Sequence, residues 1–481
     1  MDTCARRSSI APASLAALLA AVSVAGCMVG PDYRRPDPKP TPTFRSQVGP
    51  SEASSIADLP WWQVFNDKAL QALITEGLTN NYDLLAASSR IEEARQQVAV
   101  VRSALYPQVG YQAIAARQKE FIPIEQFGKN ITYNTFGLAA NAAWELDVWG
   151  RIRRSTEAAR ANLYAQEDVR RAVMLTLVSD IATSYFLLIE LDRQLAIAQE
   201  SSRIYKETLD YFTLRFEGGK DTKLAVDRAK GAYEASQASI AGLSRAIVQA
   251  ENALCILLGA YPRTITRGTG LAAQTMPPQT PVGETTALLE RRPDIMQAEQ
   301  VMIGANAEIG VAVANYFPVI GLSALFGGQG THPADIFKSS FGIWSIGAGL
   351  AGPIFQGGRL QAAYHAQQAY WDETIAQYKK TVIGAFQETS DALIAQQTLV
   401  DQRAALERQV GALREAVDLS LERYRAGKAS YVEVLDAEQA LFPSENALAQ
   451  AQRDQLLAVV NLYKALGGGW NLKDDQWAQP H

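Results

Sequence analysis

The chain has 481 residues, with 50 acidic against 45 basic side chains and a formal net charge of −5. Lys and Arg are dispersed along it, which excludes the concentrated basic face that nucleic acid requires. Its three cysteines, Cys4, Cys27 and Cys255, provide no disulfide framework, and the length allows two or three ordinary domains.

Residues 1–26 read as an export signal. Arg6 and Arg7 precede an apolar run from Ala11 to Ala25 that closes in Val24-Ala25-Gly26-Cys27. A positive start, an apolar stretch too short to span a bilayer and small residues before a thiol make a lipobox. Cleavage leaves Cys27 as the first residue, carrying diacylglycerol and an N-palmitate, with no other cofactor expected. Met28 stands where an aspartate would favour retention at the inner membrane, so the outer membrane is the expected destination. Residues 27–60 follow as a proline-rich, extended leader from which the anchor hangs. Beyond the signal no apolar run of about eighteen residues is expected to form a membrane helix. A membrane crossing must then use strands.

The rest of the chain repeats itself. Asp83, Ala87, Ala94, Pro107 and Gly110 recur as Asp294, Ala298, Ala305, Pro318 and Gly321. Gly150-Arg151 returns as Gly358-Arg359, Arg215 as Arg423, Gly219 as Gly427 and Leu258-Gly259 as Leu466-Gly467. The spacing changes once, from about 211 to about 208 positions, as a duplicated unit with one shortened loop requires. The first unit spans 61–262, the linker 263–282, the second unit 283–467 and a tail 468–481.

Each unit reads as helix, two strands and two long helices. The first strand pair is expected at 106–118 and 131–147, the second at 317–326 and 341–352. Over 131–147, Phe136, Leu138, Ala140, Ala142, Trp144 and Leu146 share one face, while Thr135, Asn141, Glu145 and Asp147 share the other. That period of two suits a strand between lipid and water. Gly128-Lys129-Asn130 and Gly327-Gly328-Gln329-Gly330 are read as connecting loops facing outside the cell. The long helices are expected at 150–216, 222–259, 358–425 and 430–466. At 1.5 Å per residue the first would run about 100 Å. Its heptad rows, Met174, Ile181, Leu188, Leu195 and Leu209 beside Leu177, Leu191, Ala198, Tyr205 and Phe212, mark a coiled-coil seam. Leu399, Leu406 and Leu413 beside Val410, Val417 and Tyr424 repeat it. Pro443 is expected to kink the last helix.

Four strands cannot close a barrel, and hydrocarbon tolerates no open strand edge. Two chains would give a barrel filled by its own side chains, whereas three give one with room inside. The fold class is therefore an α+β membrane protein: a transmembrane β-barrel shared between chains, twelve-stranded in the trimeric case, continued by a long α-helical coiled-coil barrel.

Several short motifs in fixed order carry a resemblance. They are Cys27 with Gly30-Pro31-Asp32-Tyr33, Trp61-Trp62, Asn81-Tyr82-Asp83-Leu84, Tyr106-Pro107, Trp144-Glu145-Leu146-Asp147-Val148-Trp149-Gly150, Arg292-Pro293-Asp294-Ile295, Phe317-Pro318 and Val434-Leu435-Asp436-Ala437. Over nearly all of the mature chain it resembles the TolC-like outer-membrane factors, in particular the NodT-type lipoprotein branch paired with resistance-nodulation-division efflux systems. The resemblance implies a homotrimeric exit duct in the outer membrane, its helical portion in the periplasm. It also implies that a periplasmic adaptor (membrane fusion) protein and an inner-membrane resistance-nodulation-division transporter dock on it to export drugs or other toxic small molecules. A gate at the periplasmic end is implied too, with Glu433 and Asp436 as a carboxylate ring and Tyr424 in the latch. Acids at i and i+3 equally suit a plainly solvated helix face. The arginine implied just after the glycine is replaced by Lys428-Ala429, leaving open whether Lys428 or Arg425 takes its part. Gly218, Gly219, Lys220, Gly427 and Lys428 are implied as adaptor-docking tips, though plain turns would look the same.

Other functions fit less well. His332, His365 and His481 are scattered, with no zinc spacing, phosphate loop or nucleophile beside a base, so no enzyme and no metal site are expected. The same duct could serve metal-cation efflux or type I protein secretion. A coiled-coil spacer without a pore is a third possibility.

Overall fold

Polar side chains start the helices. In the computed structural model, which describes residues 28–37, 41–47, 55–122, 129–274, 282–473 and 476–477, the Asp67 carboxylate accepts from Ala69 N and Leu70 N to open α1 (Lys68–Asn80). Asn81 Oδ1 does the same for α2 (Tyr82–Ser103), accepting from Asp83 N and Leu84 N. Strands β1 (Gln108–Ile122) and β2 (Lys129–Leu146) follow. The two Asp147 oxygens then accept from Ile152 N and Arg153 N to begin α3 (Arg151–Glu217), and Thr222 caps α4 (Lys223–Leu257). The second unit runs α5 (Pro293–Ala314), opened by a proline whose missing N–H costs nothing at a helix start, then β3 (Val319–Gly330), β4 (Gly342–Ala351), α6 (Arg359–Arg425) and α7 (Tyr431–Ala465). The duplication is visible in the backbone: Gly150 and Gly358, Gly219 and Gly427, Gly259 and Gly467 all hold positive φ, between 65° and 84°. Only glycine adopts that conformation without penalty.

The chain divides into two units. One comprises residues 1–37, 90–166 and 297–378, the other 38–89, 167–296 and 379–481.

The first unit holds an antiparallel sheet in the order β1-β2-β3-β4. Its register aligns apolar residues across all four strands: Tyr111, Ala140, Phe326 and Trp344 form one row, Val109, Ala142, Ala324 and Ile346 the next. This face is open, with Trp344 73% and Ile346 81% exposed. Between these rows, on the opposite face, lie Gly110, Asn141, Leu325 and Ser345. Two segments assigned to loops from the sequence are strand. Lys129 and Asn130 pair with Ile122 and Phe121, and Gly327 to Gly330 pair with Ala139 to Phe136, while Gly128 lies outside the described residues. Glycine stands in the strand because the backbone is crowded there: a Cβ on Gly327 would meet Leu138 O and one on Gly328 would meet Ile336 O.

The leader does not hang free in this unit. Arg154, 2% exposed, binds Asp32 at 2.9 Å and the Val29 carbonyl at 3.2 Å; Tyr33 donates to Glu299 at 3.1 Å, and Asn306 Nδ2 to the Pro31 carbonyl at 2.9 Å. Gly30 lies so close to Gly310 that a Cβ would fall 2.5 Å from the Gly310 Cα.

The core of the second unit is built on the middle of α3. Met174, Val178, Ile181, Tyr185 and Leu188 are buried with Leu70 and Ile74 of α1, Leu254 of α4 and Leu462 of α7. Gly77 lets α1 approach, since a Cβ there would meet Ile181 Cδ1 at 2.4 Å. Asp67 ties loops to this core by accepting also from Tyr185 Oη (3.0 Å), Thr269 N (3.3 Å) and Gln274 Nε2 (2.8 Å). Burial alone would raise its pKa, but the hydrogen bonds from Gln274, Leu70 N, Tyr185 and Ala69 N hold the carboxyl below its ordinary range. Stretches of α3 and α4 are apolar enough to cross a membrane by length and composition, which corrects the expectation that none exists. The stretch in α3 is 61% buried within the protein, so its apolarity serves the core. Pro443 does not interrupt α7, which is assigned as one helix from Tyr431 to Ala465. A proline removes one backbone bond of the ladder, and the buried face of a 35-residue helix outweighs that loss.

Candidate functional site

The two longest helices, α3 and α6, end in the same turn. Gly219 N donates to the Phe216 carbonyl at 2.9 Å and Lys220 N to that of Arg215 at 2.8 Å; Gly427 N and Lys428 N donate to Tyr424 and Arg423, each at 2.9 Å. This double bond pattern satisfies the last carbonyls of α3 and α6 and needs a left-handed residue. Gly219 and Gly427 supply it, with φ of 66° and 71°, and a Cβ on either would meet nothing within 4 Å. Gly218, Lys220 and Lys428 are exposed beside them.

Behind these turns lies an aromatic cluster. Phe212 and Tyr431 stand 4.4 Å apart between ring centroids, Tyr424 and Tyr431 5.8 Å, and Tyr424 lies 6.2 Å from both Tyr211 and Phe212. Such tilted and edge-on pairs exclude water and hold the helix ends together. A cavity of about 280 Å³ adjoins them, lined also by Glu438 of α7. Glu438 is 4% exposed, its Oε2 has no hydrogen-bond partner among the described residues, and burial pushes its carboxyl from 4.5 up to about 7. Burial likewise pushes the Tyr424 hydroxyl up to about 12. On α3, the Arg215 guanidinium donates to the Tyr211 hydroxyl at 3.2 Å and lowers that phenol, while its Nε binds Asp221 at 3.1 Å.

The residues singled out from the sequence fall into separate places. Tyr424 joins the aromatic cluster. Glu433 and Asp436 are exposed on α7, opposite the buried Val434, Leu435 and Glu438. Glu433 faces Arg423 at 3.7 Å, so the cation beside it is neither Lys428 nor Arg425. No described hydrogen bond joins Tyr424 to either acid. Cys27 lies outside the described residues. Sequence reasoning missed Arg423, Tyr431 and Glu438 as members of this region. Arg423 had been visible as the repeat partner of Arg215, but only the fold shows that both arginines face acids near the turns. Among the described residues no group of three or more His, Cys, Asp or Glu is gathered to hold a metal.

The profile of the family described as outer membrane efflux protein matches residues 73–260 and 286–468, once for each repeat. The cation efflux system protein CusC of Escherichia coli O6:H1 is 33% identical over 463 residues, covering 96% of this chain and all of that one. The toluene efflux pump outer membrane protein TtgC of Pseudomonas putida is 33% identical over 468 residues, 95% of each chain. Among solved structures, the outer-membrane channel OprN superposes with a TM-score of 0.85 at 29% identity, covering 92% of this chain and all of that one.

Proposed function

The chain belongs to the outer membrane efflux protein family, and from that premise we propose that three copies complete one barrel and form the passive exit duct of a tripartite pump for drugs or other toxic small molecules. The protein is an outer-membrane efflux channel, with its sheet in the membrane and its helical portion in the periplasm. The observation that carries the shared barrel is the sheet: one face is apolar through every register row quoted above, and β1 and β4 each have only one partner strand among the described residues. In hydrocarbon every unpaired backbone group costs several kcal/mol, so the outer edges must find strands of neighbouring copies. Detergent-extracted protein should weigh three chains by light scattering and conduct ions in a planar bilayer. A stable, non-conducting monomer would refute the duct.

Within that duct, Tyr424 belongs to the latch, and the exposed Glu433 and Asp436 narrow the pore; three copies of each acid around an axis would repel anions and attract cations. Gly218, Gly219, Lys220, Gly427 and Lys428 form tips for the periplasmic adaptor, through which the inner-membrane transporter delivers cargo. Cys27 carries the lipid. The role is conduction, with no catalytic step. The similarity to CusC favours a second reading of the cargo, metal cations, since that relative is named for cation efflux. Deleting the gene and scoring sensitivity to antibiotics, solvents and metal salts separates the two.

A further inference from the structure

We propose that the cavity beside Met28 is a seat for the phosphate headgroup of an anionic phospholipid of the periplasmic leaflet, separate from the gate and the tips. The inference rests on the membrane placement above and, for its proximity to acyl chains, on the proposed anchor at Cys27.

Depth comes first. All four strands give way to helices at one end of the sheet: α2 leads into β1, β2 into α3, α5 into β3 and β4 into α6. The last apolar row at this end is Leu146, Ile320 and Leu350. The hydrocarbon-facing surface stops there, so the next layer of the protein meets headgroups. Tyr106 and Tyr164, 57% and 49% exposed, suit that layer, where amphipathic rings collect.

The cavity, about 630 Å³, is walled by Arg102 of the last turn of α2, by Arg153, Arg160 and Tyr164 of the first turns of α3, and by Ile303 of α5. Arg153 is held by Asp147 at 3.2 Å, and Glu157, the one carboxylate in the wall, is taken by Arg154 at 2.9 Å. Arg102 and Arg160 are exposed and pair with no other described residue. Two uncommitted guanidinium forks therefore face a space with an apolar wall of Leu105, Ala161 and Ile303. A guanidinium fork matches phosphate oxygens geometrically, and basic side chains at a membrane surface draw anionic lipid. The apolar wall suits the glycerol and the first methylenes.

The leader fixes the cavity's rim. Val29 N donates to the Trp149 carbonyl at 3.2 Å, and Met28 packs on Gly150 so closely that a Cβ there would lie 2.8 Å from Met28 Cγ. Cys27 is one peptide bond from a residue of the cavity wall. Acyl chains on it would enter the leaflet beside the phosphate seat.

The test uses the full-length lipidated trimer in vesicles of phosphatidylcholine with a minor fraction of phosphatidylglycerol, with co-purified lipid counted by mass spectrometry. The wild-type protein should retain phosphatidylglycerol at least about tenfold over its share. Replacing the arginines together, Arg102→Gln with Arg160→Gln, should abolish the preference while trimer mass and conductance stay unchanged, and Arg102→Lys with Arg160→Lys should keep most of it. No preference in the wild type, or an equal preference in the glutamine variant, overturns the site. Millimolar inorganic phosphate should fail to displace the lipid; displacement would mean a free-anion site and overturn the lipid assignment. Cys27→Ala separates the two readings. Absent fatty-acid labelling with retained lipid preference supports the seat, whereas a preference lost with both arginines intact would assign the lipid to the anchor and overturn it. Labelling that persists in Cys27→Ala refutes the anchor alone.

Discussion

Helices α3 and α6 are each 67 residues long, begin after a glycine with positive φ and end in the same turn, yet they spend their apolar residues differently. Most of the α3 seam is closed within the chain: Met174, Ile181, Leu188 and Phe212 are buried, while Leu191, Leu195 and Leu209 are half-buried. On α6 the rows from Leu399 to Tyr424 are half-buried apart from Val410, and Ile383, Ile394 and Leu419 are exposed. At 3.6 residues per turn these three lie within about 20° of one line along the helix. Single exposed apolar residues are ordinary, but a line of them is a surface waiting for a partner. Both repeats feed the core, α6 through Ala392 and Leu393, but α6 also carries this exposed apolar line, which is how a duplicated unit can serve folding and assembly at once.

The widest test of that difference is to place the same charge on both helices. Ile181 is fully buried against Gly77, so Ile181→Asp strands a carboxylate in the core at a cost of several kcal/mol, enough to prevent folding. Ile383 is 69% exposed, so Ile383→Asp should leave the chain folded while weakening assembly. Outer-membrane fractions should lack the first variant and contain the second as a trimer that dissociates at lower temperature. Equal loss of both proteins would erase the contrast drawn between the helices.

A smaller effect is expected where α7 meets this region at Glu438. Its carboxyl titrates at about 7 in the folded chain against 4.5 ordinarily, so the folded state keeps a proton that the unfolded chain has released. The resulting penalty is absent below about pH 4.5, grows as pH rises to about 7 and is constant above that, on the order of 3 kcal/mol per chain. Glu438→Gln should therefore raise the melting temperature at pH 8 and change little at pH 4.5. A variant whose stability follows pH as the wild type does would show that this carboxyl is not the titrating group. The first repeat offers a control in Arg215 and Tyr211, where a phenol is already served by a guanidinium.

Much of this architecture is legible in the residues themselves, because period-two alternation in Phe136 to Leu146 and heptads in Met174 to Phe212 report directly which side of an element is apolar. What a single segment cannot report is its neighbour. Gly327 to Gly330 look like a loop until β2 pairs with them, and the backbones of β2 and of the segment around Ile336 explain why Gly327 and Gly328 have no room for a side chain. The seams of α3 and α6 read alike as heptads and differ only in what covers them. The same holds at the proposed gate: Glu433 is visible as an acid, but its pairing with Arg423 depends on how α6 and α7 meet across a turn. Glu438 reads as one more polar residue of a helix face until the fold buries it.

The finest contrast lies between the repeat partners Arg215 and Arg423. Arg215 holds both Asp221 and Tyr211 around its own turn, whereas Arg423 faces Glu433 alone at 3.7 Å, with both side chains at least half exposed. An exposed pair of this kind contributes between nothing and about 1 kcal/mol, so Arg423→Ala should leave melting essentially unchanged. Its effect should appear instead in conduction, because removing the cation frees Glu433 to repel its symmetry copies and loosen the closed end. Single-channel recording at low salt should then show longer open times in Arg423→Ala than in Arg215→Ala, and the difference should shrink at 1 M salt, where charges are screened beyond about 3 Å. Identical gating in the two variants would mean that the second repeat has no special part in closing the duct.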